Sequence, residues 1–292
     1  MKFTKVLSIL FLLVSVSLPV LAQNSANNAT DINFNCEGIC EITLENGKVY
    51  FGTIKEVKDE TIVLLNEDGL SLEIPKAQIK SIVAVPSSRI NDGAYWSAMP
   101  IENTYFFGSS AKNQEKGDFV FRNSYILFNG LDYGITDWLS VGAGFELIST
   151  FAAESPLGYL RAKVGFPVGD KITLGANIFH FGVPDEAAVT LTTLAATYGV
   201  AENHLTLGLG LASSDGENGS LLTVSYLNRF ARRTAFITEN YFSSNNVNAN
   251  LLSYGLRFFG DNLSVDFGFF NNAEISEIII IGIPYIGFQL KL

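Results

Sequence analysis

The chain reads as an all-β protein: an antiparallel transmembrane β-barrel of about 12 strands, preceded by a small five-stranded periplasmic β-barrel. Three observations predict this. Charged residues make up 16% of 292 positions while hydrophobic residues reach 48%; an ordinary soluble domain carries roughly 25% charged residues. From Asn103 onward the sequence repeats two-strand units. Beyond the N-terminal segment no stretch reaches the roughly 18 apolar residues of a spanning helix. Where backbone crosses lipid without a helix, only a closed barrel satisfies its hydrogen bonds.

The elements follow in chain order. Lys2 and Lys5 precede an apolar run, Val6 to Leu21, and Val20-Leu21-Ala22 sets a cleavage site after Ala22. Residues 1–22 are therefore expected to be a secretory signal peptide. Residues 23–35, QNSANNATDINFN, form a polar tether. Cys36 and Cys40 have three residues between them. They are either a local disulfide, which an exported chain permits, or free thiols; zinc is disfavoured because no second Cys pair or His lies nearby. Residues 36–90 hold five short strand patterns. Asn46-Gly47 between two alternating segments is a hairpin signal, and Asp68-Gly69 marks another turn. The order of turns and short strands resembles the SH3-like and Sm-like small barrels, which implies a docking module. Residues 91–98 form a linker ending in Tyr95-Trp96, and the large barrel is expected over 99–292.

The repeat is anchored by turns at Thr136-Asp137, Gly169-Asp170, Glu202-Asn203, Arg232-Arg233 and Asp261-Asn262. Asp137, Asp170, Asn203, Arg233 and Asn262 are spaced by 33, 33, 30 and 29 residues, room for two strands and two turns. A tilted strand crosses a bilayer in about 9 to 11 residues. Alternation is plain in LSVGAGFEL, where Leu139, Val141, Ala143 and Phe145 share one face and Ser140, Gly142, Gly144 and Glu146 the other. Each strand entering a tight turn carries an aromatic on its apolar face: Tyr133, Phe166, Tyr198, Phe230 and Phe258. Together they predict an aromatic girdle at a membrane interface. Twelve strands are expected, the first near Asn103 to Gly108 and the last within Glu277 to Leu292. The connections opposite the tight turns are short, beginning with Ser109 to Lys116.

Inward parity yields lumen candidates: the cations Arg122, Arg161, Lys163, Arg229 and Arg257, and the anions Asp132, Glu146 and Asp266. They are either salt-bridged filler or a charged pore wall. Their cationic excess predicts a narrow passive pore favouring small anions, and inward Gly, Ser and Ala leave it room. The competing expectation is a sealed structural or tethering barrel whose small module binds an envelope partner, peptidoglycan or a periplasmic protein.

The chain ends YIGFQLKL, which resembles the C-terminal signal that barrel-insertion machinery reads, with Leu292 where Phe or Trp is commoner. With NTYFFGSSA and NSYILFNGLDYGITDWLSVGAGFE, it makes the chain similar to uncharacterised outer-membrane β-barrel proteins of Bacteroidota. The resemblance implies an outer membrane of a Gram-negative cell, outer-membrane lipid around the barrel and the small domain in the periplasm. It implies no activity.

Other function classes lack their residues. With 19 Lys+Arg against 29 Asp+Glu and a formal charge of −10, no basic patch is available for nucleic acid. His180 and His204 are the two histidines. Neither has an evident nucleophile beside it, so no enzyme, in particular no barrel lipid hydrolase, is expected. No metal cluster or phosphate loop appears, and no cofactor is expected.

Overall fold

The computed structural model describes residues 32–66, 68–108, 110–152, 156–183, 188–214, 217–244 and 250–292. The expected signal peptide and most of the tether lie outside them. The chain divides into two compact units, Met1–Tyr95 and Trp96–Leu292.

In the first unit the strands are β1 (Cys40–Leu44), β2 (Val49–Val57), β3 (Thr61–Leu65), β4 (Ser71–Pro75) and β5 (Ile79–Ala84). They form one antiparallel sheet in the order β4-β3-β2-β1-β5. The β1–β2 hairpin turns at Asn46-Gly47, with Gly47 at φ 81°, a left-handed conformation that costs glycine little. A 3-10 turn, Lys76–Gln78, carries the chain from one sheet edge to the other. The described ladders do not join β4 to β5, so the pairing is a five-stranded sheet and does not close as a barrel. Ile42, Ile62 and Leu64 are fully buried at its centre. Cys36 and Cys40 are disulfide-bonded. Within the expected linker, β6 (Ile90–Asn91) and β7 (Ala94–Tyr95) pair, and the Tyr95 ring stacks on Phe51 at 4.0 Å.

The second unit is a closed antiparallel barrel of twelve strands. They are β8 (Phe119–Ser124), β9 (Phe128–Thr136), β10 (Leu139–Glu146), β11 (Gly158–Pro167), β12 (Ile172–Gly182) and β13 (Ala188–Val200). The remainder are β14 (Asn203–Ser214), β15 (Glu217–Ala231), β16 (Thr234–Ser243), β17 (Leu252–Phe259), β18 (Leu263–Asn271) and β19 (Ile283–Lys291). Neighbours in sequence are neighbours in the wall, and β19 closes on β8 through Gly287↔Ser124 to Lys291↔Val120. The faces alternate: Leu194, Leu209 and Leu160 are 70%, 66% and 62% exposed on the outside, while Arg257, Asp266 and Ser264 are buried within. No helix among the described residues is long and apolar enough to cross a membrane.

The count of twelve matches the expectation, but the first strand does not. Residues 103–108 are no wall strand, and 110–116 is no connection at the far rim. Between that expected connection and the turn at Thr136-Asp137 lies the β8–β9 hairpin. Its turn, Tyr125 and Ile126 at φ 55° and 67°, uses no glycine; the Asn123 side chain holds Ile126 through both its backbone N–H and its carbonyl. A left-handed β-branched residue is rare, so the sequence carries no turn signal there. Two further connections are helical, α1 (Leu147–Ala152) and α2 (Ala273–Ile278). The last strand therefore starts at Ile283, later than Glu277.

Truncating Ile62, which is fully buried, to alanine is expected to destabilise the small sheet by about 2–5 kcal/mol. Hydrogen exchange on the full chain reads this as lost protection in β1–β3, with the barrel amides unchanged.

Candidate functional site: a lumen segment and the chamber above it

Residues 97–118 leave the small unit, enter the barrel at the rim of tight turns and run inside it. Their sequence, SAMPIENTYFFGSSAKNQEKGD, lacks the two-residue period that a wall strand needs. Met99, Ile101, Thr104, Tyr105, Phe106 and Ala111 are buried. The segment reverses near Phe106: the Tyr105 N–H donates to the Gly108 carbonyl at 3.0 Å, and the Ser110 N–H to the Asn103 carbonyl at 3.0 Å. It returns to the same rim, where the Gly117 N–H donates to the Gly134 carbonyl at 2.9 Å and β8 begins.

Irregular backbone inside a barrel must find partners for its polar groups, and inward side chains supply them. Arg257, fully buried, donates through all five of its N–H groups. Two go to the Asp266 carboxylate at 2.7 and 2.8 Å. Three go to the carbonyls of Ile101, Thr104 and Tyr105 at 2.8, 3.0 and 3.1 Å. Gln289 bridges Asp266 and the Thr104 hydroxyl. The buried Glu239 carboxylate accepts from the N–H groups of Phe107 and Gly108 at 3.0 and 2.8 Å, and from the Tyr241 hydroxyl. Thr197 accepts from the Ala111 N–H at 2.8 Å. Lys163 donates to the carbonyls of Asn103 and Lys112. At the rim the Arg229 guanidinium binds Glu202 and the Ser97 carbonyl and lies 4.6 Å from the Trp96 ring centre.

The apolar side chains of the segment are also received. Met99, Tyr105 and Phe106 pack on the inward Leu227, Ile237, Phe259, Phe270 and Tyr285. Part of the lumen is thus a hydrophobic core, which the charged lumen candidates alone do not reveal. Several inward glycines, expected to leave an open bore, lie against the segment. A Cβ at Gly134 would collide with the Glu115 carbonyl, one at Gly165 with the Ala111 carbonyl, and one at Gly268 with the Phe106 ring.

Between the tip of the segment and the far rim lies a chamber of about 560 Å³. Of the eight charged lumen candidates, Arg122, Asp132, Arg161 and Lys163 line it. Asp132 is bound by both Arg122 and Arg161. Arg229, Arg257 and Asp266 lie on the segment instead. The Glu146 carboxylate accepts from the N–H groups of Ile148 and Ser149, capping α1. The five aromatics Tyr133, Phe166, Tyr198, Phe230 and Phe258 are on the barrel exterior, with Tyr198 61% exposed. His180 faces outward and its Nδ1 lies 2.8 Å from the Thr190 hydroxyl; His204 is buried against Tyr105.

Glu239, Gln289 and Thr197 are the functional positions that sequence reading missed. Glu239 shares the inward face with Ala235 and Ile237, so its parity was readable in AFITENYF. What it binds in the segment was not, because Phe107 and Gly108 lie more than 100 residues away in the chain.

No family model matches the chain and no curated protein matches it. Among solved structures it is similar to the KdgM porin in complex with disordered oligogalacturonate, with TM-score 0.44 and 9% identity over 60% of this chain and 98% of that one. The KdgM porin alone gives 0.43 and 10%, over 60% and 99%. OmpTdeltaL8, a loop deletion mutant of an outer membrane protein of Vibrio cholerae, gives 0.31 and 11%, over 87% and 96%. At these identities and TM-scores, nothing about ligand or activity passes to this chain.

Arg257→Ala leaves Asp266 buried without its ion partner and three carbonyls without donors. A loss of about 3–5 kcal/mol is expected, read as a lower temperature of heat-modifiable gel migration and new protease cleavage within residues 97–118. Arg257→Lys keeps the charge but loses the fork, and is expected to fall between the two.

Proposed function

We propose that the chain is an integral outer-membrane barrel whose lumen is closed at the tight-turn end by its own residues 97–118, and that it acts as a closed binding barrel. The observation carrying this reading is the Arg257 fork, which binds the segment to the wall through backbone carbonyls. The alternating exterior supports the membrane half: leucines exposed to water around a whole barrel would be costly, and lipid removes that cost. The exterior aromatics sit near the tight turns, where a membrane interface would place them.

The placement of the segment favours this reading over the open anion pore that the inward cations suggested. Arg229 and Arg257 are neutralised by Glu202 and Asp266 and engaged by the segment, so they leave little charge for a conducting path. The segment enters and leaves at one rim, and Leu292 donates to the Phe119 carbonyl at that rim. Both ends of the barrel unit thus share a side. We assign that side to the periplasm, with the small sheet tethered there and available to an envelope partner. The sealed lumen, and an outward His180–Thr190 pair with no third group to orient it among the described residues, favour a non-enzymatic role.

Two measurements test the reading. In planar bilayers the full chain is expected to give no conductance steps at high salt, and replacement of residues 99–114 by a short Gly/Ser linker is expected to open a channel. Steps from the intact chain would defeat the closed-lumen reading. Separately, Leu209→Lys is expected to cost about 2–4 kcal/mol of folding stability in bilayers. A negligible cost there would count against a lipid-facing exterior.

A further inference from the structure

We infer that the chamber is a binding site for a single-chain amphiphile with one anionic head group, carboxylate or phosphate. This rests on the reading of residues 97–118 as the floor of the lumen.

The chamber divides by chemistry. Toward the far rim its wall is a contiguous aromatic surface. Phe128 meets Phe181 at 6.1 Å between ring centres, Phe181 meets Phe179 at 6.4 Å, and Phe179 stacks on Tyr159 at 5.5 Å. Deeper, Arg122 and Arg161 bind one carboxylate, Asp132, and Lys163 also lines the chamber, its ammonium on the Asn103 and Lys112 carbonyls. Three cations against one anion leave an excess of positive charge in a space shut from bulk water below. A buried unbalanced charge is costly unless something pairs with it.

The polar groups there are not fully spent. Arg122, 7% exposed, gives one guanidinium nitrogen to Asp132, while its Nη2 has no partner among the described residues. The amide of Gln114, 6% exposed, has no partner at either atom among the described residues. Both line the chamber. Unpaired buried donors beside excess positive charge fit an anionic head, and the aromatic wall above fits an apolar chain. About 560 Å³ falls within the roughly 300–1,000 Å³ of small-molecule pockets.

Ile126, at the tip of the β8–β9 hairpin, is 74% exposed, and its neighbour Tyr125 lines the chamber. A chain entering at this tip meets Phe128 first and the arginines last.

The test uses the refolded full chain in a neutral maltoside detergent, with heat-modifiable migration as the check of the barrel. Native mass spectrometry and titration calorimetry are run with a monounsaturated long-chain fatty acid, the lysophosphatidic acid of the same chain, and the matching zwitterionic lysophosphatidylcholine. One bound molecule is expected with at least one anionic probe, and the arm that binds tells carboxylate from phosphate. Arg122→Gln, which leaves the Arg161–Asp132 pair in place, is expected to weaken binding about tenfold or more, the range for one hydrogen bond to a charged group. Thr223→Trp, which fills the chamber without touching its charges, is expected to abolish it. Failure to retain either anionic probe overturns the inference. So does equal binding of the zwitterionic probe, or wild-type binding by both variants. A chain lacking heat-modifiable migration refutes the barrel reading instead; one that shows it and binds nothing refutes the chamber alone.

Discussion

A stretch of chain without secondary structure lies inside a barrel, and its carbonyls have to be paired there. The Arg257 guanidinium does much of this with one planar group: Asp266 fixes one edge of the fork, and three carbonyls of residues 101–105 take the remaining donors. Arginine suits the place because its five donors lie in a fixed plane and it stays charged. Glu239 plays the complementary part at the turn, accepting backbone N–H groups where Arg257 meets carbonyls. The two residues sit on neighbouring strands, β16 and β17, so one side of the wall reads both polarities of the same backbone.

The rest of the interior follows from that anchorage. Once residues 99–106 are held against β15–β19, their side chains need an apolar bed, and Leu227, Ile237, Phe259, Phe270 and Tyr285 form it. The returning limb passes the opposite wall, where Gly134, Gly165 and Gly175 let main chain approach main chain. Glycine is needed at such positions because any side chain would displace the backbone facing it. What remains unfilled is the upper lumen beside β8–β12, and this is where the aromatic wall and the Arg122–Asp132–Arg161 cluster lie. The chamber is thus the space the segment does not occupy.

Much of the site was legible only as parity. The alternation in β10, β14 and β18 marks which side chains face inward, because successive residues in a strand point to opposite faces. The same parity along β8, β9, β11, β17 and β18 marks Arg122, Asp132, Arg161, Lys163, Arg257 and Asp266 without distinguishing those that meet the segment from those that meet the chamber. That distinction depends on where residues 97–118 run. Glu146 shows the same limit: its parity is inward, yet its carboxylate caps α1 because that helix starts at the next residue.

By itself the sequence determined the all-β class and the period of the hairpins, since these rest on local alternation and on turn residues such as Asn46-Gly47 and Asp261-Asn262; its count of twelve agrees because a strand expected at 103–108 offset the unread β8–β9 hairpin. It also determined that strands such as β10, β14 and β18 carry one apolar face. Only the tertiary structure decided that residues 103–108 lie in the lumen and that a hairpin turns at Tyr125-Ile126. Neither has a local signature: the turn contains no glycine, and the partners of the segment, Arg257, Glu239, Gln289 and Thr197, are 86 to 185 residues distant in the chain. Backbone that satisfies its hydrogen bonds through remote side chains leaves no periodic trace, and its place is set only when the barrel closes around it.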